Sequence, residues 1–175
     1  INSSPKSMDR ILEINKISAN NHNKHLRVFE GDITDKKFLK KVFLELDNKQ
    51  INIDGVVHLA GLKAVSESVK NPLLYWHTNL IGTLNLLEIL KKLNCKTFVF
   101  SSSATIYANS KDNSRLNELS PISPANPYGN TKASIERLLG DFFQSSKEEC
   151  KLASLRYFNP IGAHPSGMMG ENPIG

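Results

Sequence analysis

The 175-residue chain holds two cysteines, Cys95 and Cys150, a single tryptophan and few aromatic residues, 7% in all. No Cys-x-x-Cys and no nearby His pair accompany the thiols, so neither a disulfide framework nor a metal site is expected. Long apolar runs are also missing. The longest, such as Val56–Ala60 and Thr97–Phe100, are strand-sized, far short of the roughly 18 residues a membrane-spanning helix needs, and no membrane association is expected. The opening Ile1-Asn2-Ser3-Ser4-Pro5 lacks an initiator Met, a basic start and an apolar signal core, which is the pattern of neither a signal peptide nor a natural beginning. With no targeting segment and two cysteines that suit a reducing compartment, a cytoplasmic location is expected. Internal repeats and low-complexity segments are absent from the sequence.

What is present is an ordinary globular composition, 39% hydrophobic and 22% charged. The 22 Lys and Arg against 17 Asp and Glu give a net charge of +5, which raises the question of nucleic acid. The basic pairs Lys36-Lys37, Lys40-Lys41 and Lys91-Lys92 fall in amphipathic helical stretches, where a solvated face accounts for them, and no nucleic-acid partner is expected.

Hydrophobic periodicity predicts alternating helices and strands. Ser4 and Pro5 open a helix carrying Met8, Ile11, Leu12 and Ile14. Leu26–Phe29 reads as a short strand, followed by a turn at Glu30-Gly31-Asp32 and a helix capped by Thr34, with Phe38, Leu39, Val42, Phe43 and Leu46 on one face. Val56–Ala60 is a continuous apolar run, the pattern of a parallel strand covered on both faces, and Gly61 closes it. A long helix after Pro72 has Trp76, Leu80, Leu84, Leu87 and Leu90 on its stripe. The strand Thr97–Phe100 delivers Ser101-Ser102-Ser103 at its end. A Pro, Asn and Ser-rich loop from about Asn109 to Asn126 precedes a helix starting near Pro127, with Leu138, Leu139, Phe142 and Phe143 inward, and Lys151–Leu155 is the last strand. The alternation predicts a doubly wound parallel α/β sheet of Rossmann type, incomplete at both ends.

Ligands of such sheets bind beyond the carboxyl ends of the strands. Three clusters arrive there: Asp32-Ile33, Ala60-Gly61-Leu62-Lys63 and Ser101 to Thr105. Gly61 lets backbone approach a ligand, and Asp32 can accept hydrogen bonds from an adenine amine or a ribose hydroxyl, although an Asp after a strand is more often a turn former. The sharper signal is Tyr128-Gly129-Asn130-Thr131-Lys132, which puts Tyr128 and Lys132 on one face of a helix start. A phenol is a poor base at neutral pH, and a neighbouring ammonium favours its ionised form, which brings proton abstraction within reach; Ser103 could orient the same substrate oxygen. His58, inside an apolar strand, reads as a hydrogen-bonded core residue, His164 matches no metal spacing, and Trp76 reads as packing.

These segments, Glu30-Gly31-Asp32-Ile33, His58 to Val65 (HLAGLKAV), Ser101 to Tyr107 (SSSATIY), Tyr128 to Lys132 (YGNTK) and Arg156 to Gly167 (RYFNPIGAHPSG), follow one another in an order and spacing that resemble the extended short-chain dehydrogenase/reductase family across nearly the whole chain. AGLKAV, SSSAT and RYFNPIGAHPSG are similar to its nucleotide-sugar 4-epimerase branch; a 4,6-dehydratase would be expected to carry an acidic pair at Ala104 and Thr105. The resemblance implies NAD as cofactor, a UDP-sugar as substrate, and inversion at sugar C4 between UDP-glucose and UDP-galactose by removal and return of hydride. It implies Tyr128, Lys132 and Ser103 as catalytic residues, with Tyr128 taking the 4-hydroxyl proton and Lys132 holding the nicotinamide ribose. It further implies cofactor contacts at Asp32 and Ile33 (adenine), at Leu59, Ala60, Gly61, Leu62 and Lys63 (pyrophosphate and ribose), at Phe158 (nicotinamide end) and at Asn2 and Ser3 (adenosine ribose). Asn159 joins Ser103 and Tyr128 in touching substrate.

By the same resemblance, residues 1–157 form an NAD-binding domain without its first strand and Gly-x-x-Gly-x-x-Gly turn, and 158–175 begin the substrate-binding region. Ala108 stands where a glycine usually follows the tyrosine of SSSAT-x-Tyr. A homodimer of the complete protein is implied through the helices Pro72–Leu93 and Pro127–Ser146. Two alternatives stand beside the epimerase: a truncated, non-catalytic remnant acting at most as a binding module, and an epimerase of another nucleotide sugar such as UDP-N-acetylglucosamine.

Overall fold

The computed structural model describes residues 6–16, 26–93, 95–108, 115–145 and 150–170. Runs of β-branched and aromatic residues form three parallel strands, β1 (Gly55–His58), β2 (Thr97–Ser103) and β3 (Lys151–Tyr157), in the order β1-β2-β3. Val56 pairs with Phe98 and His58 with Phe100; Ser102 pairs with Arg156 and Ser103 with Tyr157. Parallel neighbours need crossovers, and helices supply them.

Between β1 and β2 run α3 (Val65–Lys70), α4 (Pro72–Tyr75), a π-helical segment (Trp76–Ile81) and α5 (Gly82–Leu90); α6 (Pro127–Gln144) lies between β2 and β3. Helix α2 (Lys36–Asn48) precedes β1. Asn126 caps α6 by accepting from Gly129 N, and Pro127 takes the first helical position, where a missing N–H costs nothing. The main core joins Leu86, Leu87 and Leu90 of α5, Phe98 and Phe100 of β2, and Ile135 and Leu139 of α6. Truncating such a buried leucine costs about 2–5 kcal/mol. This is the Rossmann-type parallel α/β architecture that the strand and helix alternation predicts.

The chain divides into two compact units, Gly31–Phe158, which holds the sheet, and Ile1–Glu30 with Asn159–Gly175. The described part of the second unit contains α1 (Lys6–Ile14), none of whose residues is buried, and a turn in which His164 N donates to Met169 O at 2.8 Å. His164 Nδ1 lies 2.8 Å from Ser166 Oγ, and Gly167 takes φ +71°, a conformation that glycine adopts without strain.

Several expectations are corrected. Leu26–Phe29 is not a strand: it has no ladder partner among the described residues, and a strand exists only by pairing. Thr34 does not cap α2. Asp35 does, accepting from Lys37 N and Phe38 N, while Thr34 Oγ1 donates to Asp32. The strand expected at Val56–Ala60 is Gly55–His58, and among the described residues it is covered on one face only; Val57 is 65% exposed while His58 is buried. Ser101–Ser103 lie inside β2, not after it, and the last strand runs on to Tyr157. The long helix after Pro72 is interrupted by a π turn, and its buried residues include Tyr75, Asn79 and Thr83 where Trp76, Leu80 and Leu84 are expected, while Leu87 and Leu90 are buried as the stripe predicts. Ser4 and Pro5 lie outside the described residues.

His58 is the hydrogen-bonded core residue that its apolar surroundings predict. Thr83 Oγ1 gives its one proton to Asn79 O at 2.7 Å, so His58 Nε2, 2.9 Å from the same oxygen, must be the protonated ring nitrogen. Burial, reinforced by the Lys132 charge, pushes its pKa down to about 4. A histidine held neutral in the fold binds its proton more readily unfolded. The His58 contribution to stability should therefore be fully present above about pH 6.5 and fall by about 3 kcal/mol as pH drops toward 4. Denaturant unfolding across that range checks this, and His58→Gln should flatten the acid limb.

Candidate active site

Helix α6 meets the carboxyl end of β2 through a polar face. Tyr128, Lys132 and Glu136 follow one another at intervals of four, the spacing that stacks side chains on one side of a helix. Tyr128 is 8% and Lys132 5% exposed. Lys132 Nζ donates to Ser101 O at 2.8 Å and stands 4.8 Å from the Phe100 ring centroid and 5.8 Å from that of Tyr128. Burial pushes the Lys132 pKa down to about 8. At pH 7 the ammonium still outnumbers the amine by about ten to one, so a positive charge is held beside the phenol. Among the described residues one of its three N–H groups goes to Ser101 and two are left to donate.

Ser103 ends β2. Its Oγ accepts from Thr105 N at 3.2 Å and from Thr105 Oγ1 at 3.0 Å, which engages both lone pairs and leaves the hydroxyl proton to give. The turn that follows, Ala104–Ile106, is fixed by Ala108 N to Pro121 O and Ser123 N to Ile106 O, both 3.0 Å. Helix α6 closes on this turn so tightly that a Cβ on Gly129 would stand 2.6 Å from Thr105 O.

At the end of β1, a Cβ on Gly61 would be 3.0 Å from Asn79 Oδ1 and 3.7 Å from Lys132 Nζ. The glycine thus brings bare backbone up to the ammonium. Leu59, Ala60 and Lys63 are exposed there and Leu62 is half-buried. Asp32 and Ile33 lead into α2: Asp32 Oδ1 accepts from Thr34 N (2.7 Å) and Thr34 Oγ1 (2.8 Å), bonds that lower its pKa, and Ile33 packs on the core. Asp32 is therefore a turn former and an exposed carboxylate at once. Phe158 is 64% exposed, and lines a cavity of about 460 Å³ with Tyr107, Leu116 and Arg156. The site so assembled contains Tyr128, Lys132, Ser103 and Gly61. Asn159 belongs to the other unit, and Asn2 and Ser3 lie outside the described residues.

Asn79 is the residue sequence reasoning missed. From the π turn its Oδ1 accepts from Leu62 N (2.7 Å), and its Nδ2 donates to Leu62 O (3.1 Å) and Thr131 Oγ1 (3.1 Å). One buried amide thereby ties the Gly61 loop to α6. Asn79 lies off the expected stripe of Trp76, Leu80 and Leu84, so local periodicity carried no signal for it. Among the described residues no group of three His, Cys, Asp or Glu could hold a metal, and no helix is long and apolar enough to cross a membrane.

A parallel sheet with a serine at a strand's carboxyl end and a buried Tyr-x-x-x-Lys on the next helix defines a Rossmann-type domain of the short-chain dehydrogenase/reductase class. The chain belongs to the NAD dependent epimerase/dehydratase family, whose model matches residues 9–172. It is 47% identical over 174 residues to UDP-glucose 4-epimerase 2 of Arabidopsis thaliana, covering 99% of this chain and 47% of the relative, and 44% identical over 174 residues to UDP-glucose 4-epimerase of Bacillus subtilis, again 99% and 47%. The crystal structure of UDP-glucose 4-epimerase from Bifidobacterium longum in complex with NAD+ and UDP superposes with a TM-score of 0.85 at 40% identity, covering 99% of this chain and 48% of that one. The chain thus spans about half the length of the relatives it matches. Its own residues fit a dinucleotide: bare backbone at Gly61 abuts an ammonium with two donors to spare.

The two glycines of α6 give opposite expectations. Gly129→Ala should lower stability by about 1–3 kcal/mol, because Thr105 O is backbone and cannot swing away. Gly140→Ala, with nothing within 4 Å of the added carbon, should raise it by about 0.5–1 kcal/mol. Thermal unfolding of the two variants side by side checks both signs.

Proposed function

We propose that the polypeptide containing these residues is an NAD-dependent UDP-glucose 4-epimerase, interconverting UDP-glucose and UDP-galactose. The observation that carries this reading is the burial of Tyr128 and Lys132 together on α6 at the carboxyl end of β2, in a chain 44–47% identical to epimerases of that name. Bound NAD supplies the acceptor, and then the donor, of the hydride at sugar C4. Tyr128 takes the proton of the 4-hydroxyl as C4 is oxidised to a ketone, and gives it back to the oxygen after the sugar has turned over, which inverts the centre. Lys132 keeps positive charge beside the phenol and offers its two remaining N–H groups to ribose hydroxyls. Ser103, with only its proton left to give, donates to the same sugar oxygen and orients it.

Asp32 and Ile33 would meet the adenine, Leu59 to Lys63 the pyrophosphate and ribose, Asn2 and Ser3 the adenosine ribose, and Phe158 the nicotinamide end. Asn159 and the rest of 158–175 would begin the substrate-binding region. A cytoplasmic homodimer through the stretches Pro72–Leu93 and Pro127–Ser146 completes the reading; Leu73 and Leu74 of the first are exposed apolar residues. A second reading, binding without turnover, is favoured for these 175 residues taken alone by apolar surface left open at β1, where Val57 on the strand and Leu59 just after it are each about two-thirds exposed.

Conversion of UDP-galactose to UDP-glucose with added NAD tests the proposal, measured on the 175-residue chain and on the whole natural polypeptide that contains it. Turnover by the whole polypeptide, reduced roughly 10²–10⁴-fold in kcat by Tyr128→Phe with KM little changed, is the expected result. No turnover in either would sink the epimerase reading and leave the binding module.

A further inference from the structure

Glu136 is the carboxylate nearest in sequence to Lys132 on its helix face, one turn away, at the spacing where Lys and Glu ordinarily pair with each other. Here they do not. Arg156, on β3 beside Ser102 of β2, takes Glu136 in a fork: Nη2 donates to Oε2 at 2.8 Å, and Nε lies 3.2 and 3.3 Å from Oε1 and Oε2. Ser102 Oγ adds a bond to Oε1 at 2.5 Å. Arg156 Nη1 is itself held by Tyr107 Oη (3.0 Å) and Glu118 O (3.2 Å), and its guanidinium stands 5.1 Å from the Tyr107 ring centroid. Both side chains are largely buried, with 19% and 10% of Arg156 and Glu136 exposed.

The consequences for α6 are two. Lys132 bonds the carbonyl of Ser101 and Glu136 bonds the hydroxyl of Ser102, so consecutive strand residues grip consecutive helix turns just below Tyr128. The fork also occupies both oxygens of Glu136, the carboxylate one turn along the helix on the side away from Tyr128. Resting on the epimerase reading above, we propose that Arg156 is a positioning residue for the Tyr128–Lys132 pair: by holding Glu136 it keeps that carboxylate off Lys132 and locks the helix on the strand.

Beside Lys132 stand His58 on β1 and Tyr128 on its own helix; Tyr75, bonded to Glu67, faces Tyr128, and Glu136, one turn along the helix, is held by Arg156, which is bonded in turn to Tyr107. Among them only Glu136 is a carboxylate one turn from Lys132, so its release has a distinct signature. In Arg156→Gln the freed Glu136 should pair with Lys132, raising the Lys132 titration midpoint from near 8 by one unit or more, and kcat should fall roughly 10²-fold. In Arg156→Gln/Glu136→Gln no carboxylate is left to capture the ammonium. The midpoint should return to its original value and at least a tenfold part of the loss in kcat should be regained.

The test is an NMR titration of isotope-labelled lysine in the whole natural polypeptide without added substrate, with Lys132 assigned by Lys132→Arg, alongside kcat and KM for each variant. An unchanged midpoint in folded Arg156→Gln, or a double variant no better than the single, overturns the proposal. If Arg156→Gln does not fold, Arg156→Lys keeps the charge without the fork and should show an intermediate midpoint; an unshifted midpoint there overturns it equally. The titration is independent of turnover, so wild-type protein without epimerase activity would count against the epimerase reading, while the lysine midpoints would still decide what Arg156 does.

Discussion

A protonated amine inside a protein is costly unless its charge is met, and the ammonium of Lys132 imposes that condition on everything around it. Among the described residues no carboxylate is paired with it directly. A backbone carbonyl at 2.8 Å and the face of Phe100 meet it, and both come from β2, so the strand that anchors the core also holds the charge. The neighbours conform. His58 stays neutral beside it, Gly61 lacks the Cβ that would crowd it, and Asn79 spends its whole amide on the loop and helix that frame it. Partial compensation leaves the group poised near pH 8, cationic but loosely so, which suits a residue whose task is to lend charge to a phenol.

Helix α6 satisfies this condition because its two halves do different work. Ile135 and Leu139, with Phe142 and Phe143 behind them, bury apolar surface against Phe98 and the leucines of α5. Hydrophobic burial is strong but non-directional, and by itself tolerates small rotations of a helix about its axis. The earlier turns cannot rotate: Gly129 abuts the carbonyl of Thr105, Thr131 is bonded to Asn79, and Lys132 and Glu136 are bonded to adjacent strand residues. Hydrogen bonds supply the angular definition that the apolar half lacks, and they cluster at the end of the helix that carries Tyr128.

Much of this was legible in the sequence, for identifiable reasons. Tyr128 and Lys132 stood out because a spacing of four needs no tertiary information, and the serine run ended an apolar segment that could only be a strand. The parallel α/β class followed from the alternation of periods. What escaped depends on partners distant in sequence. Leu26–Phe29 has strand composition but no neighbour to pair with among the described residues, and composition alone does not make a ladder. Thr34 and Asp35 are both good caps; which one served was decided by Asp32 engaging the threonine hydroxyl. Arg156 passed as part of a motif because nothing local links it to Glu136, twenty residues earlier and on another element.

The π turn at Trp76–Ile81 shows why such losses concentrate at the site. A reader who assumes 3.6 residues per turn carries the stripe from Trp76 through Leu80 and Leu84, and Asn79 then looks like a polar interruption on the wrong face. The buried face lies one residue away, in line with Tyr75: Asn79 and Thr83 go inward, where one bonds the Leu62 backbone and the other fixes the tautomer of His58. Irregular helix, buried amide and buried ammonium each break a local rule, and all three breaks meet at one end of one strand. Local periodicity reads the scaffold well because the scaffold obeys it, and it fails at this edge because the contacts there join residues distant in sequence.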